Sequence, residues 1–269
     1  MISNPLNMPL KYAIFILLSS GVSCKNNFPQ PEEKLIASEQ YSLPQSINSY
    51  GTTNAIPIPA GFERIEQDKD SFGNWLRSIA LKKDKAVYKY DGTLKANQSA
   101  QFAVLDISVG KKDLQQCADA IMRLRAEYLF DRERFDEILF TDNAGTVYQF
   151  TPPYSRKNLL EYLEKVFGMC GSASLSKQLK TKEDFSSIIP GDVLIRGGFP
   201  GHAIVVVDVA ENAAGKKMYL LAQSYMPAQD IHILVNPLND KLSPWYEVNE
   251  DILIKSPEYS FKRTELKHW

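Results

Sequence analysis

Residues 190–224 read PGDVLIRGGFPGHAIVVVDVAENAAGKKMYLLAQS, and this stretch decides the fold. Residues 191–195 have the composition of a strand. Residues 197–201, Gly-Gly-Phe-Pro-Gly, form a tight connection. Residues 202–209 are dominated by β-branched side chains and predict a long strand. A Gly-containing turn at 211–216 then returns the chain into a third strand at 218–224. Three antiparallel strands joined by short turns make a meander, with His202 at the opening end of the middle one.

Outward from the meander, strand-like runs occur at 86–90, 101–108, 138–141 and 146–150. A helix is predicted over 114–130, where Leu114, Cys117, Ala118, Ile121, Tyr128 and Leu129 keep helical spacing. Asp113 and Gln116 are spaced as a capping box at its start. A second helix is predicted over 157–167. The fold class is therefore α+β, with a Cys-bearing helix packed on an antiparallel sheet. No internal repeat is present.

The chain has 269 residues, 44% hydrophobic and 23% charged, which fits a globular protein and excludes disordered, collagen-like and multi-pass membrane classes. Lys plus Arg number 31 against 32 for Asp plus Glu, so no electrostatic footprint for nucleic acid exists. Only three Cys and three His are present, too few for a disulfide-built scaffold. No His-x-x-x-His or paired-Cys spacing occurs, and the Gly-rich loop at 197–201 lacks the Gly-Lys-Ser/Thr of a phosphate loop. No metal or cofactor is expected.

Residues 1–23 hold no acid, one base (Lys11) and the apolar run 12–18. Seven apolar residues cannot cross about 30 Å of hydrocarbon, so the segment has the form of a signal-peptide core. Ser19-Ser20-Gly21-Val22-Ser23 and Cys24 follow, and resemble a bacterial lipobox in which the Cys becomes the diacylated first residue of the mature chain. Ordinary secretion with cleavage nearby is the alternative. Removal of 1–23 leaves 30 bases against 32 acids, with no polybasic patch to hold a membrane, so acyl chains would supply the anchor. Residues 24–56 are rich in Pro, Asn, Ser and Gly and predict a flexible tether, followed by a single domain over 57–269.

A cysteine nucleophile needs a base within hydrogen-bond reach and a third group to orient that base. Cys117 lies near a helix start, where backbone N–H groups favour a thiolate; it also sits on the apolar stripe, where an inert core cysteine belongs. His202 is the first candidate base, His232 the second, and His268 is too close to the terminus. Asp208 shares a face with His202 but is about 20 Å away along the strand, too far to orient the ring. If the turn at 211–216 closes a hairpin, Gln223 comes opposite His202; a shift of one register substitutes Ser224. Cys170 has no base nearby in sequence, and a disulfide to Cys117 is the other fate open to both.

The residues Gln116-Cys117, Pro190-Gly191-Asp192-Val193, Gly201-His202-Ala203-Ile204-Val205-Val206 and Gln223 resemble papain-like cell-wall hydrolases, the NlpC-type peptidases and CHAP amidases. The Asp-Cys-Ser-Gly typical of NlpC-type enzymes is absent. The resemblance implies a papain-like core, with Cys117 as nucleophile, His202 as base, Gln223 as orienter and Gln116 beside the oxyanion. A longer resemblance, over about 72–261, is to a bacterial lipoprotein family carrying domain of unknown function 4846. It rests on Ser71-Phe72-Gly73-Asn74-Trp75-Leu76-Arg77, Tyr90-Asp91-Gly92, residues 114–120, Pro200-Gly201-His202-Ala203 and residues 222–229. It implies no activity.

Two functions are expected from these features. One is an envelope lipoprotein that cleaves amide bonds through a cysteine, on cell-wall peptide or a related substrate. The other is a non-catalytic envelope lipoprotein that binds a glycan or peptide through Trp75, Trp245, Tyr225 and Tyr246. Either would reach the membrane through Cys24. A fatty-acid probe is expected to label the protein metabolically, and Cys24→Ala to abolish the label; equal labelling of the variant would exclude lipidation at this cysteine.

Overall fold

The computed structural model describes residues 47–269. The expected signal segment, Cys24 and the tether as far as residue 46 lie outside the described residues. In order, the chain forms β1 (Phe62–Arg64), α1 (Phe72–Ser78), β2 (Gln101–Val104), α2 (Cys117–Asp131), β3 (Leu139–Thr141) and β4 (Val147–Gln149). Then come α3 (Arg156–Met169), α4 (Ser172–Gln178), β5 (Lys180–Thr181), β6 (Val193–Arg196), β7 (His202–Asn212) and β8 (Lys217–Gln223). The last strands are β9 (His232–Leu234), β10 (Tyr246–Glu247), β11 (Leu253–Lys255), β12 (Ser260–Lys262) and β13 (Leu266–His268).

The main sheet is antiparallel in the order β2-β9-β8-β7-β6-β13-β5, with β1 added to β7 and β10 to β8. β3–β4 and β11–β12 are separate hairpins. The meander read from residues 190–224 is β6-β7-β8. β7 is buried from His202 to Ala210, which explains why it reads as an unbroken apolar run instead of an alternating one. Ala203, Val205 and Val207 face a core built with α2, α3 and α4 through Ile121, Leu124, Leu163 and Leu175. Ile204 and Val206 face a second core with Leu194, Leu221, Phe261 and Leu266.

Asp208 lies at the bulge in the β7–β8 ladder and is fully buried. A carboxylate there must be paired. Arg64 Nε donates to Oδ2 at 2.5 Å and Arg77 Nε to Oδ1 at 2.6 Å. Arg77 also donates to the carbonyls of Ile65 and Val209. One side chain thus ties β1 and α1 to the central strand.

The structure departs from the sequence reading in four places. The tether ends before residue 56: Asn48, Thr53 and Ile56 are buried, and Thr53 N–H donates to Ile79 O at 3.0 Å. Residues 86–90 form only isolated bridges, Tyr88 with Leu94 and Lys89 with Gln229. Helices α1 and α4 are each 7 residues long, too short for a clear periodic signal. α2 begins at Cys117, not at 114.

Asp208→Asn is expected to leave two buried guanidinium groups poorly compensated and to cost about 3–5 kcal/mol in urea unfolding. The exposed Asp106→Asn should stay within about 0.5 kcal/mol of wild type. Equal midpoints for the two variants would refute the role assigned to Asp208.

Candidate active site

Helix α2 starts where its cap forms. Gln116 is the N-cap, and its N–H donates to Asp119 Oδ2 at 3.1 Å. The box expected from Asp113 and Gln116 is not the one used. Asp113 Oδ1 instead accepts from Gln116 Nε2 at 3.1 Å and from Ala228 N–H at 2.7 Å. Cys117 is therefore the first helical residue, with its own N–H among the four that an α-helix leaves unpaired.

The sulfur meets β7 at its opening. The backbone N–H groups of Ala118 and Ala203 point at it, and Ala203 is bonded directly to His202. Burial nevertheless outweighs these donors, with the Asp119 charge adding to it, and pushes the thiol up to about 11. His202 is buried, at 1% exposure, and burial pushes its imidazole down to about 4, against Gln223 and Glu258, which raise it. Both groups are neutral at pH 7.

His202 Nε2 lies 2.8 Å from Gln223 Oε1, while Nδ1 is buried with no hydrogen-bond partner among the described residues. No bond joins Nδ1 to Sγ in the resting protein; such contacts often tighten only when substrate binds. The bulge between Val206 and Asp208 shifts the β7–β8 register, and Val206 pairs with Leu221. Two residues beyond Leu221 and four before Val206 lie on the same face, which brings Gln223 beside His202. Ser224 instead bonds the carbonyls of Gln115 and Gln229. Tyr225 covers the imidazole edge-on at 4.8 Å, and Tyr259 lies at 4.9 Å.

Cys117, Asp119, Cys170, Gln116 and Gly201 line a cleft of about 400 Å³ whose rim carries Phe199, Met169 and Met226. Phe199 is 96% exposed. Among the described residues the lining includes no Lys or Arg, and its acids are Asp113 and Asp119. Burial pushes the Asp119 carboxyl up to about 8, and its Oδ1 has no hydrogen-bond partner among the described residues. Gly201 has no room for a Cβ, which would stand 2.6 Å from Gly198 O, so the loop turns tightly into β7. Cys117 and Cys170 are free thiols, and burial pushes Cys170 up to about 11.

Other candidates lie elsewhere. His232 is fully buried beside Gln223, its Nδ1 is 2.9 Å from Asp230 O, and burial pushes it down to about 3. His268 Nδ1 meets Trp269 O at 3.0 Å. Trp245 and Tyr246 are buried and bond the carbonyls of Pro57 and Val235, while the Trp75 indole donates to Asp131. Three of the four aromatics considered for ligand binding are thus committed to the fold. Sequence reasoning missed Glu258, whose Oε2 accepts from Gln223 Nε2 at 2.8 Å and from Lys95 Nζ at 2.7 Å. Nothing in residue spacing points to it. Asp119, an acid in the first helical turn after a polar residue, was readable as a cap.

The family model described as Domain of unknown function (4846) matches residues 52–154 and 142–268. No curated protein and no solved structure matches the chain.

The buried, neutral His202 has a testable consequence. Its folded pKa, about 4, lies below the unfolded value of about 6.5. As pH falls through that window the unfolded chain takes up the proton first, so stability is lost on acidification. Asp119 acts in the opposite sense over an overlapping range, so the informative quantity is a difference between variants. Between pH 7 and pH 5, wild type is expected to lose more unfolding free energy than His202→Asn. Equal losses would contradict a buried neutral imidazole.

Proposed function

The chain belongs to the family of domain of unknown function 4846, and we propose that this member is a lipid-anchored envelope protein that cleaves amide bonds through Cys117. The observation that carries the reading is the imidazole of His202: one nitrogen is held by an amide oxygen at 2.8 Å, the other is buried with no hydrogen-bond partner among the described residues, and the N–H of the next residue along the strand, Ala203, meets the sulfur. The papain-like arrangement expected from the sequence gives this constellation a chemical sense.

In the proposed cycle the thiol proton passes to His202 Nδ1 as sulfur bonds the carbonyl carbon, and the carbonyl electron pair moves onto oxygen. The Cys117 N–H, free at the helix start, is positioned to receive that oxyanion. The imidazolium then gives its proton to the leaving nitrogen, the C–N bond breaks and a thioester remains. Water hydrolyses the thioester and restores the thiol. Gln116 Nε2 serves Asp113 in the resting protein, so any contact of this amide with an oxyanion requires that bond to open.

Cell-wall peptides are the first substrates to test. A cleft with an apolar rim and no Lys or Arg in its lining favours neutral groups around the scissile bond and offers a carboxylate no counter-charge. The non-catalytic binding reading has less support, because two of the four aromatics it invoked, Trp245 and Tyr246, are internal.

Iodoacetamide is expected to alkylate Cys117 at pH 6–7 faster in wild type than in His202→Ala, where no imidazole can take the thiol proton. Cys117→Ser should show no labelling at this position and no hydrolysis of muropeptides. The thiol by itself ionises only as pH approaches about 11, so any reaction near neutral pH requires that its proton be taken up as the new bond forms. In His202→Ala the near-neutral limb of the rate profile should therefore fall about a hundredfold or more, leaving the alkaline limb. Superimposable profiles for wild type and His202→Ala would refute the assignment of the base.

A further inference from the structure

We propose that Glu258 is a positioning residue that sets the tautomer of His202 through Gln223. What that tautomer does chemically rests on the hydrolase reading; the tautomer itself does not.

Glu258 sits in the turn between β11 and β12, and Lys95 Nζ donates to its Oε2 at 2.7 Å. Asn97 Nδ2 approaches its Oε1 at 3.3 Å. Both members of the ion pair are largely buried, with side-chain exposures of 6% for Lys95 and 14% for Glu258. Both oxygens of Glu258 already accept, from Lys95 and from Asn97, so the group meets Gln223 as an acceptor. Gln223 must therefore turn its NH₂ toward Glu258, where Nε2 stands at 2.8 Å.

That choice fixes the other end of the amide. Gln223 Oε1 faces His202 Nε2 at 2.8 Å and can only accept, so Nε2 carries the hydrogen. A neutral imidazole has one ring hydrogen, so Nδ1 holds a lone pair. A salt bridge two residues removed thus determines which nitrogen of His202 can take a proton. With no acceptor at position 258 the amide is free to rotate. Its NH₂ would then meet Nε2, placing the ring hydrogen on Nδ1 and leaving no lone pair there to take a proton.

The group acts through another residue and touches no substrate, so the decisive readout is the ring itself. Nitrogen-15 spectra of the imidazole, taken on the purified protein at pH 7, are expected to show protonated Nε2 and unprotonated Nδ1 in wild type. Glu258→Gln keeps an accepting oxygen and should preserve that pattern. Glu258→Leu should populate the Nδ1–H tautomer and slow alkylation of Cys117 roughly tenfold or more. A wild-type ring protonated at Nδ1 would overturn the proposal, and this measurement does not depend on any variant folding. An unchanged tautomer in folded Glu258→Leu would overturn it as well. The spectra need no turnover, so a protein with the expected tautomer that hydrolyses nothing would refute the hydrolase reading and leave this one standing.

Discussion

Strand β7 is covered on both faces, and the rest of the molecule is arranged around that constraint. A strand with solvent on one side can alternate apolar and polar residues; this one cannot. Its side chains at 203, 205 and 207 belong to the core under the helices, and those at 204 and 206 belong to the core that includes Phe261 of β12. Every polar group on the strand must therefore find a partner inside the protein. Asp208 finds two arginines, and those bonds recruit β1 and α1. His202 finds Gln223, and that bond begins a chain ending at Lys95. The same requirement, met at two ends of one strand, produces a structural cross-link in one case and a candidate catalytic group in the other.

The electrostatics at the helix start are a contest that burial wins. A helix N-terminus stabilises an anion by about 0.3–1 kcal/mol at an exposed position. The Cys117 sulfur also receives N–H groups from Ala118 and Ala203. The thiol nevertheless ends up well above its ordinary range because little water reaches it, and the nearby Asp119 adds to that effect. The imidazole is displaced in the complementary direction by the same cause. A resting site with neutral thiol and neutral base avoids holding a buried ion pair without substrate. Proton transfer would then accompany bond formation to the carbonyl.

Parts of this arrangement were legible in the chain and parts were not, for identifiable reasons. The β-branched run at 202–209 and the turns on either side specify β6-β7-β8, because local propensity and turn chemistry agree there. The start of α2 was misplaced by three residues, since Asp113 and Gln116 satisfy the same spacing rule as the Gln116–Asp119 bond actually formed. That difference matters: it moves Cys117 from the edge of the first turn to its first position. The choice between Gln223 and Ser224 turned on a bulge of one residue, which no pattern in the sequence marks. Of the aromatics expected at a binding surface, Trp245 and Tyr246 are buried, because a Trp or Tyr with one satisfied polar atom packs readily inside a core.

The sequence by itself determined the antiparallel meander, the placement of a cysteine near a helix start, a histidine at a strand opening, and the family. These follow from local periodicity and from runs of adjacent residues. The tertiary structure decided which polar side chain meets His202, and that Glu258 and Lys95 stand behind it. Those contacts join residues 21, 35 and 163 positions apart. At such separations the only link is the packing of distant segments onto one sheet face. The orientation of a single amide, and with it the nitrogen left free on the imidazole, depends on that packing.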